Sequence, residues 1–252
     1  MYGWGWPRYA SMGERRRRAQ KAVAKMMRKG QKVSPVNVDG RILAKTFWGR
    51  AWCDHLESLS DYENRLPRGR SYVRNGSVIH LDIDQGKVEA LVQGSSLYKV
   101  KIDIKTLVPK KWRSILKDCS GQIDSMIELL QGKLSSGVMK IITDRRNGLF
   151  PLPKEISLNC SCPDWADMCK HVAAVLYGVG NRLDREPELL FKHRKVDHME
   201  LINKASLKTP AARSKKAKVI KDQDLSAMFG IDIASGIKGS KNKRKVKRKI
   251  TK

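Results

Sequence analysis

Three thiols and one imidazole fall within twelve residues: Cys160, Cys162, Cys169 and His171, spaced C-x-C-x6-C-x-H. Zinc takes four nitrogen or sulfur ligands in a tetrahedron, at about 2.3 Å to sulfur and about 2.0–2.1 Å to nitrogen. The chain has only five cysteines, so three of them beside one histidine point to a metal ion. Free buried cysteines next to a core histidine are the alternative, and they would not need this spacing. A catalytic zinc keeps one coordination position open, whereas Cys3His fills the shell. One structural zinc ion is therefore expected, with no catalytic residues.

Such ligands need elements that converge. Cys160 and Cys162 are expected to end a strand, where side chains at i and i+2 share a face. Pro163 then bends the chain, and residues 163–168 loop over. Residues two apart on a regular helix point about 200° apart at 3.6 residues per turn. Cys169 must therefore precede or open a helix, with His171 in its first turn. Val172, Val175, Leu176 and Val179 mark that helix, with an expected end near Gly180. Asp184 is expected to cap a last core helix carrying Leu189, Leu190 and Phe191.

Upstream, apolar residues alternate with polar ones at Ile79, Leu81 and Ile83, at Val88, Ala90 and Val92, and at Tyr98, Val100, Ile102 and Ile104. Short turns at Gln85-Gly86 and Gly94-Ser95-Ser96 separate the runs. Period two, three times over, predicts an antiparallel meander with one buried face. Ile156, Leu158 and Cys160 continue as a further strand, after an extended Phe150-Pro151-Leu152-Pro153. Helical spacing recurs at Phe47, Trp48, Ala51, Trp52, Leu56 and Leu59, at Trp112, Ile115 and Leu116, and at Ile123, Met126, Ile127 and Leu130.

The net charge of +27 is concentrated at the ends. Residues 1–32 carry +9 and residues 204–252 carry +13, against +5 in the 171 residues between them. Such a distribution says little about fold and points to polyanionic partners. Residues 14–29 read as a basic amphipathic helix with Ala19, Ala22, Val23, Met26 and Met27 on one face and Gly30 as its stop. It is expected either to lie on nucleic acid or an acidic partner, or to be a solvated, partly ordered arm. The expected organisation is a basic arm at 1–37, an α+β core at 38–145, the finger and its following helix at 146–203, and a basic disordered tail at 204–252. Within that tail an apolar island at 224–233 carries Leu225, Met228, Phe229 and Ile231, candidates for docking a partner.

Arg65, Arg68, Arg70 and Arg74, interleaved with Tyr62 and Tyr72, are candidates for contacting nucleic acid. Guanidinium forks suit phosphates, and tyrosine rings stack on bases. The alternative is a surface loop whose arginines pair with Asp61 or Glu63. Cys53 and Cys119 are expected as small buried residues, and His55 and His80 as packing residues. His193 and His198 are possible alternative ligands that the close spacing at His171 makes unnecessary.

Several classes are excluded. No run of 18 apolar residues exists, so no membrane partner is expected. The N-terminus lacks the apolar stretch of a secretory signal. An odd number of crowded cysteines argues for a reducing compartment and against a disulfide framework. A cytoplasmic protein is expected, with association to the nucleoid possible. No P-loop, G-x-S-x-G or H-E-x-x-H occurs, so nothing specific proposes an enzyme or a small-molecule substrate.

The C-x-C-x6-C-x-H pattern resembles the SWIM zinc finger. The likeness extends to Phe47-Trp48-Gly49-Arg50-Ala51-Trp52, to Asn64-Arg65-Leu66-Pro67-Arg68-Gly69-Arg70-Ser71-Tyr72 and to Val92-Gln93-Gly94-Ser95. These look like segments of bacterial SWIM zinc finger family proteins, and the similarity covers roughly residues 38–200. It implies Cys160, Cys162, Cys169 and His171 as zinc ligands. It also implies DNA binding, or protein interaction alongside Swi/Snf-type helicases. The expected function is thus a non-enzymatic nucleic-acid-binding module, for DNA above all. The alternative is an adaptor for a Swi/Snf-type helicase, with the basic ends adding only avidity.

Overall fold

The computed structural model describes residues 11–58, 65–123 and 126–206, without the side chains of residues 126, 127, 202 and 204–206. The helices are α1 (Met12–Arg28), α2 (Phe47–Glu57), α3 (Leu66–Arg74), α4 (Pro109–Asp118), α5 (Met126–Gln131), α6 (Ser136–Thr143), α7 (Lys170–Leu183), α8 (Leu189–His193) and α9 (Met199–Ser206). The strands are β1 (Val78–Asp84), β2 (Lys87–Gln93), β3 (Leu97–Ile104) and β4 (Ile156–Cys160). The class is α+β, as the alternation and helical spacing predict.

The meander forms with β4 added to its open edge, giving an antiparallel sheet in the order β1-β2-β3-β4. One cross-strand row of the inner face runs Leu81, Ala90, Val100, Cys160. The first metal-ligand candidate therefore ends a row of core residues. Pairing continues one residue further, where the Ser161 N–H donates to the Lys99 carbonyl at 3.0 Å and the Lys99 N–H to Ser161 Oγ at 2.9 Å.

Helix α7 lies at the centre, packed on α2, α3 and the sheet. Eleven of its fourteen residues are buried, as a helix apolar on all faces requires. Gly180 does not stop it. A Cβ there would lie 2.8 Å from Cys53 Sγ and 3.1 Å from Trp52 Cδ1 of α2, so the glycine permits a close helix crossing, and α7 runs on to Leu183. Trp52 reinforces that crossing by donating its indole N–H to the Leu176 carbonyl at 2.8 Å. The cap expected of Asp184 is also placed differently. Its carboxylate closes the N-terminus of α2, accepting from the N–H of Lys45 at 2.6 Å and from the N–H and hydroxyl of Thr46 at 3.0 and 2.7 Å. Helix α8 has Glu188 as its N-cap residue and no side-chain cap.

The arginine-rich stretch is a helix, α3, over Leu66–Arg74. Pro67 suits a first turn because its φ is already helical and its missing N–H would have had no partner there. Gly69 lets α3 approach α7, since a Cβ would sit 2.6 Å from Ala173 Cβ. Helix α1 opens with a capping box between Ser11 and Glu14 and seats Ala19, which is buried, against β1 and β2. Of the apolar positions expected around α5, Ile123 is buried and Leu130 only half-buried; among the described residues of the helix the buried one is Leu129, which the expected face did not include.

Arg194 is fully buried and clamps the far end of the sheet. It donates to the Lys105 carbonyl at 2.8 Å and pairs with Glu155 at 3.2 Å. Among the described residues no helix is long and apolar enough to cross a membrane. Residues 1–10, Asp61, Tyr62 and Glu63, and the expected tail from 207 onward lie outside the described residues. So does the 224–233 island with Leu225, Met228, Phe229 and Ile231.

Candidate metal centre

The four ligand candidates come from three places. Cys160 ends β4, Cys162 follows the last sheet contact, Cys169 is the N-cap of α7 and His171 lies in its first turn. The N-cap Cys169 has an extended backbone (φ −79°, ψ 170°). That departure from helical geometry turns its side chain toward His171 and resolves the conflict that a regular helix would impose.

The donor atoms fit a single ion. All four lie within 4.8 Å of one another. His171 Nδ1 is 3.9 Å from Cys160 Sγ and 3.8 Å from Cys169 Sγ. A zinc tetrahedron with the usual bond lengths has sulfur–nitrogen edges of about 3.6 Å and sulfur–sulfur edges of about 3.8 Å. The chain thus positions Cys160, Cys162, Cys169 and His171 to hold one zinc ion. The Cys160 and Cys169 thiols share a proton unequally. Hydrogen bonding from the Cys160 thiol holds the Cys169 thiol down, against its burial, with His171, the Val172 N–H and Cys162 in support. The N-terminus of α7 favours negative charge in the same place. The hydrogen bond to Cys169 and burial push Cys160 upward.

His171 is held on two further sides. Its ring stacks on Tyr98 with centroids 4.4 Å apart and meets the edge of Tyr72 at 5.3 Å. Its Nε2 is buried with no hydrogen-bond partner among the described residues, and it faces Gly94, where a Cβ would lie 3.0 Å away. Nδ1 is therefore the nitrogen turned toward the thiols.

The other cysteines and histidines stay apart from this cluster. Burial pushes the Cys53 and Cys119 thiols up to about 12, which leaves them protonated packing groups. His80 Nδ1 accepts the Ser34 N–H at 3.1 Å, and His55 Nε2 lies 2.9 Å from the Pro151 carbonyl. His193 is buried against Trp52 and His198 packs on Phe191. Neither joins the ligand group among the described residues.

The four candidate arginines separate. Arg65 pairs with Asp164 of the ligand loop at 3.2 Å. Arg70 pairs with Glu57 at 2.5 Å and donates to the Tyr177 hydroxyl. Arg74 Nε donates to the Arg41 carbonyl at 3.0 Å. Arg68 is exposed and lines a cleft of about 480 Å³ with Arg15, Pro67, Ser71, Tyr72 and Lys170. The Arg15 guanidinium sits over the Tyr72 ring, 5.5 Å from its centroid. One wall of this basic cleft is thus the ring that touches the candidate ligand His171, and another is Lys170, its neighbour in sequence. Sequence reasoning read Arg15 only as part of a basic helix, and missed Lys170 and exposed Trp165. The first two join Arg68 only through the packing of α1, α3 and α7. The position of Trp165 between two ligands was the available signal for the third.

Comparison with known proteins finds a known zinc finger at these residues. Residues 147–179 match the SWIM zinc finger, so the chain carries a SWIM zinc finger that contains all four ligands. The chain is also 34% identical over 163 residues to the uncharacterized protein Rv2102 of Mycobacterium tuberculosis. That alignment covers 64% of this chain and 58% of the relative's length. No solved structure matches it significantly.

Proposed function

We propose that this SWIM zinc finger protein is a non-catalytic nucleic-acid-binding module, with DNA as the expected partner and the zinc in a structural role. The observation that carries this is the cleft of Arg15, Arg68 and Lys170 around Tyr72, built directly on the metal centre. Three cations around a concavity attract a phosphodiester chain, and release of its counterions drives binding. The net charge of +27 adds long-range attraction. A zinc ion held by Cys160, Cys162, Cys169 and His171 would support the cleft from behind, by fixing His171, which packs on Tyr72, and the start of α7, which carries Lys170. Three thiolates and one imidazole fill the zinc shell and leave no position for a substrate.

The test is the salt dependence of DNA affinity for the whole chain against an Arg15→Ala, Arg68→Ala, Lys170→Ala triple variant. Each phosphate contact contributes about 0.9 to the slope of log K against log salt on duplex DNA. The triple variant should bind more weakly and lose about two to three units of slope, with zinc content unchanged. A wild-type slope would overturn the proposal and favour the alternative, docking of a Swi/Snf-type helicase through the finger and Leu225, Met228, Phe229 and Ile231.

A further inference from the structure

Trp165 is 91% exposed, in contrast to Trp48, Trp52 and Trp112, which are buried. Its loop is nevertheless firmly built. Ligand candidates Cys162 and Cys169 bracket it, and Met168 of the same loop is buried. Asp164 accepts the Ala166 N–H at 3.3 Å and pairs with Arg65. An indole displayed on a loop fixed at both ends is pre-organised to bind a flat partner, since little ordering entropy remains to be lost.

The loop is also joined to the basic cleft. Arg65, which holds Asp164 beside Trp165, immediately precedes α3, and Arg68 of the cleft lies three residues further on. On the cleft side of the centre, the Tyr72 ring is buried under Arg15 and against His171, so Trp165 is the ring left free to stack. Charge sorts the two regions. Asp164 is neutralised by Arg65, and Asp167 is exposed near the indole, so phosphates are disfavoured at the loop and favoured in the cleft.

We infer that the finger selects single-stranded over double-stranded nucleic acid, stacking an unpaired base on Trp165 while the backbone runs through the Arg15–Arg68–Lys170 cleft. The inference rests on the nucleic-acid reading above and adds the strandedness of the partner. In a duplex the base faces are already stacked on one another, whereas an unpaired base presents a free face of any sequence.

The test uses the whole zinc-loaded chain, with fluorescence anisotropy on a labelled oligo(dT) strand and on a duplex of the same length. Trp165→Ala should weaken oligo(dT) binding by about tenfold. Duplex binding should change less than twofold, and zinc content and melting temperature should hold. Trp165→Phe, which keeps a ring, should restore most of the loss. Oligo(dT) binding unaffected by Trp165→Ala, or equal losses on strand and duplex, would overturn the inference while leaving nucleic-acid binding intact. A parent chain that binds neither probe would overturn both, and would leave Trp165 as a protein-docking residue.

Discussion

The imidazole of His171 lies stacked on the ring of Tyr98, with centroids 4.4 Å and planes 29° apart. This contact joins a metal ligand on α7 to strand β3. The Tyr98 hydroxyl is itself fixed, 2.7 Å from Ser95 Oγ. Buried His171 Nε2 has no hydrogen-bond partner among the described residues, so ring packing orients the ligand where an outer hydrogen bond commonly does.

Replacing Tyr98 by Leu should therefore weaken zinc without abolishing its binding. Loss of outer-shell support costs about 10–100-fold in metal affinity, and an effect near tenfold is expected for a packing contact. Competition with a chromophoric chelator measures it. Wild-type affinity in Tyr98→Leu would show that the thiols alone orient the imidazole.

Asp184 closes α2 from 138 residues away, through the backbone of Lys45 and Thr46. Asp184→Ala removes the carboxylate that holds the N-cap Thr46 of α2, with its charge-assisted hydrogen bonds. It should destabilise the chain by about 2 kcal/mol, read as a lower midpoint in urea. Zinc stoichiometry should stay at one, because the metal lies at the opposite end of α7.

The ligand set was legible in the sequence because it is local. Four residues within one turn and one loop leave few geometries, and the helical conflict between positions 169 and 171 forces the extended N-cap that is seen. The meander was legible for the same reason, since its turns are short. What was not legible depends on distant packing. Period two marks β4 as a strand, yet nothing in that period says it pairs with β3 at Val100 and Cys160. Pro67 and Gly69 resemble loop residues until α7 supplies the close neighbour that makes glycine necessary. The capping role of Asp184 and the meeting of Arg15, Arg68 and Lys170 are likewise products of tertiary contact.

His193 is buried, and desolvation first, then Arg194, lowers its pKa from the ordinary value of 6.5 to about 4. The unfolded chain therefore takes up this proton near pH 6.5, while the folded chain resists it until about pH 4. Stability falls as pH drops through that window, and the loss levels off below it. The shift corresponds to about 3 kcal/mol. His193→Leu should flatten the stability profile between pH 6.5 and 4 by an amount of this order. Both proteins carry the same zinc ligands, so the difference isolates His193. Identical profiles would show that the imidazole does not titrate differently on folding.

The most direct measurement is zinc per chain, by elemental mass spectrometry after dialysis against a mild chelator, for the wild type and for Cys169→Ser. Binding of structural zinc reaches about 10–16 kcal/mol in small peptides at neutral pH, enough to survive such dialysis. One zinc per wild-type chain is predicted. Cys169→Ser should lose it, with loosening of residues 156–180 seen as faster amide exchange, because the N-cap thiolate joins β4 to α7 through the ion. A wild-type chain without zinc, or a Cys169→Ser chain that keeps a full equivalent at wild-type affinity, would contradict the Cys3His centre.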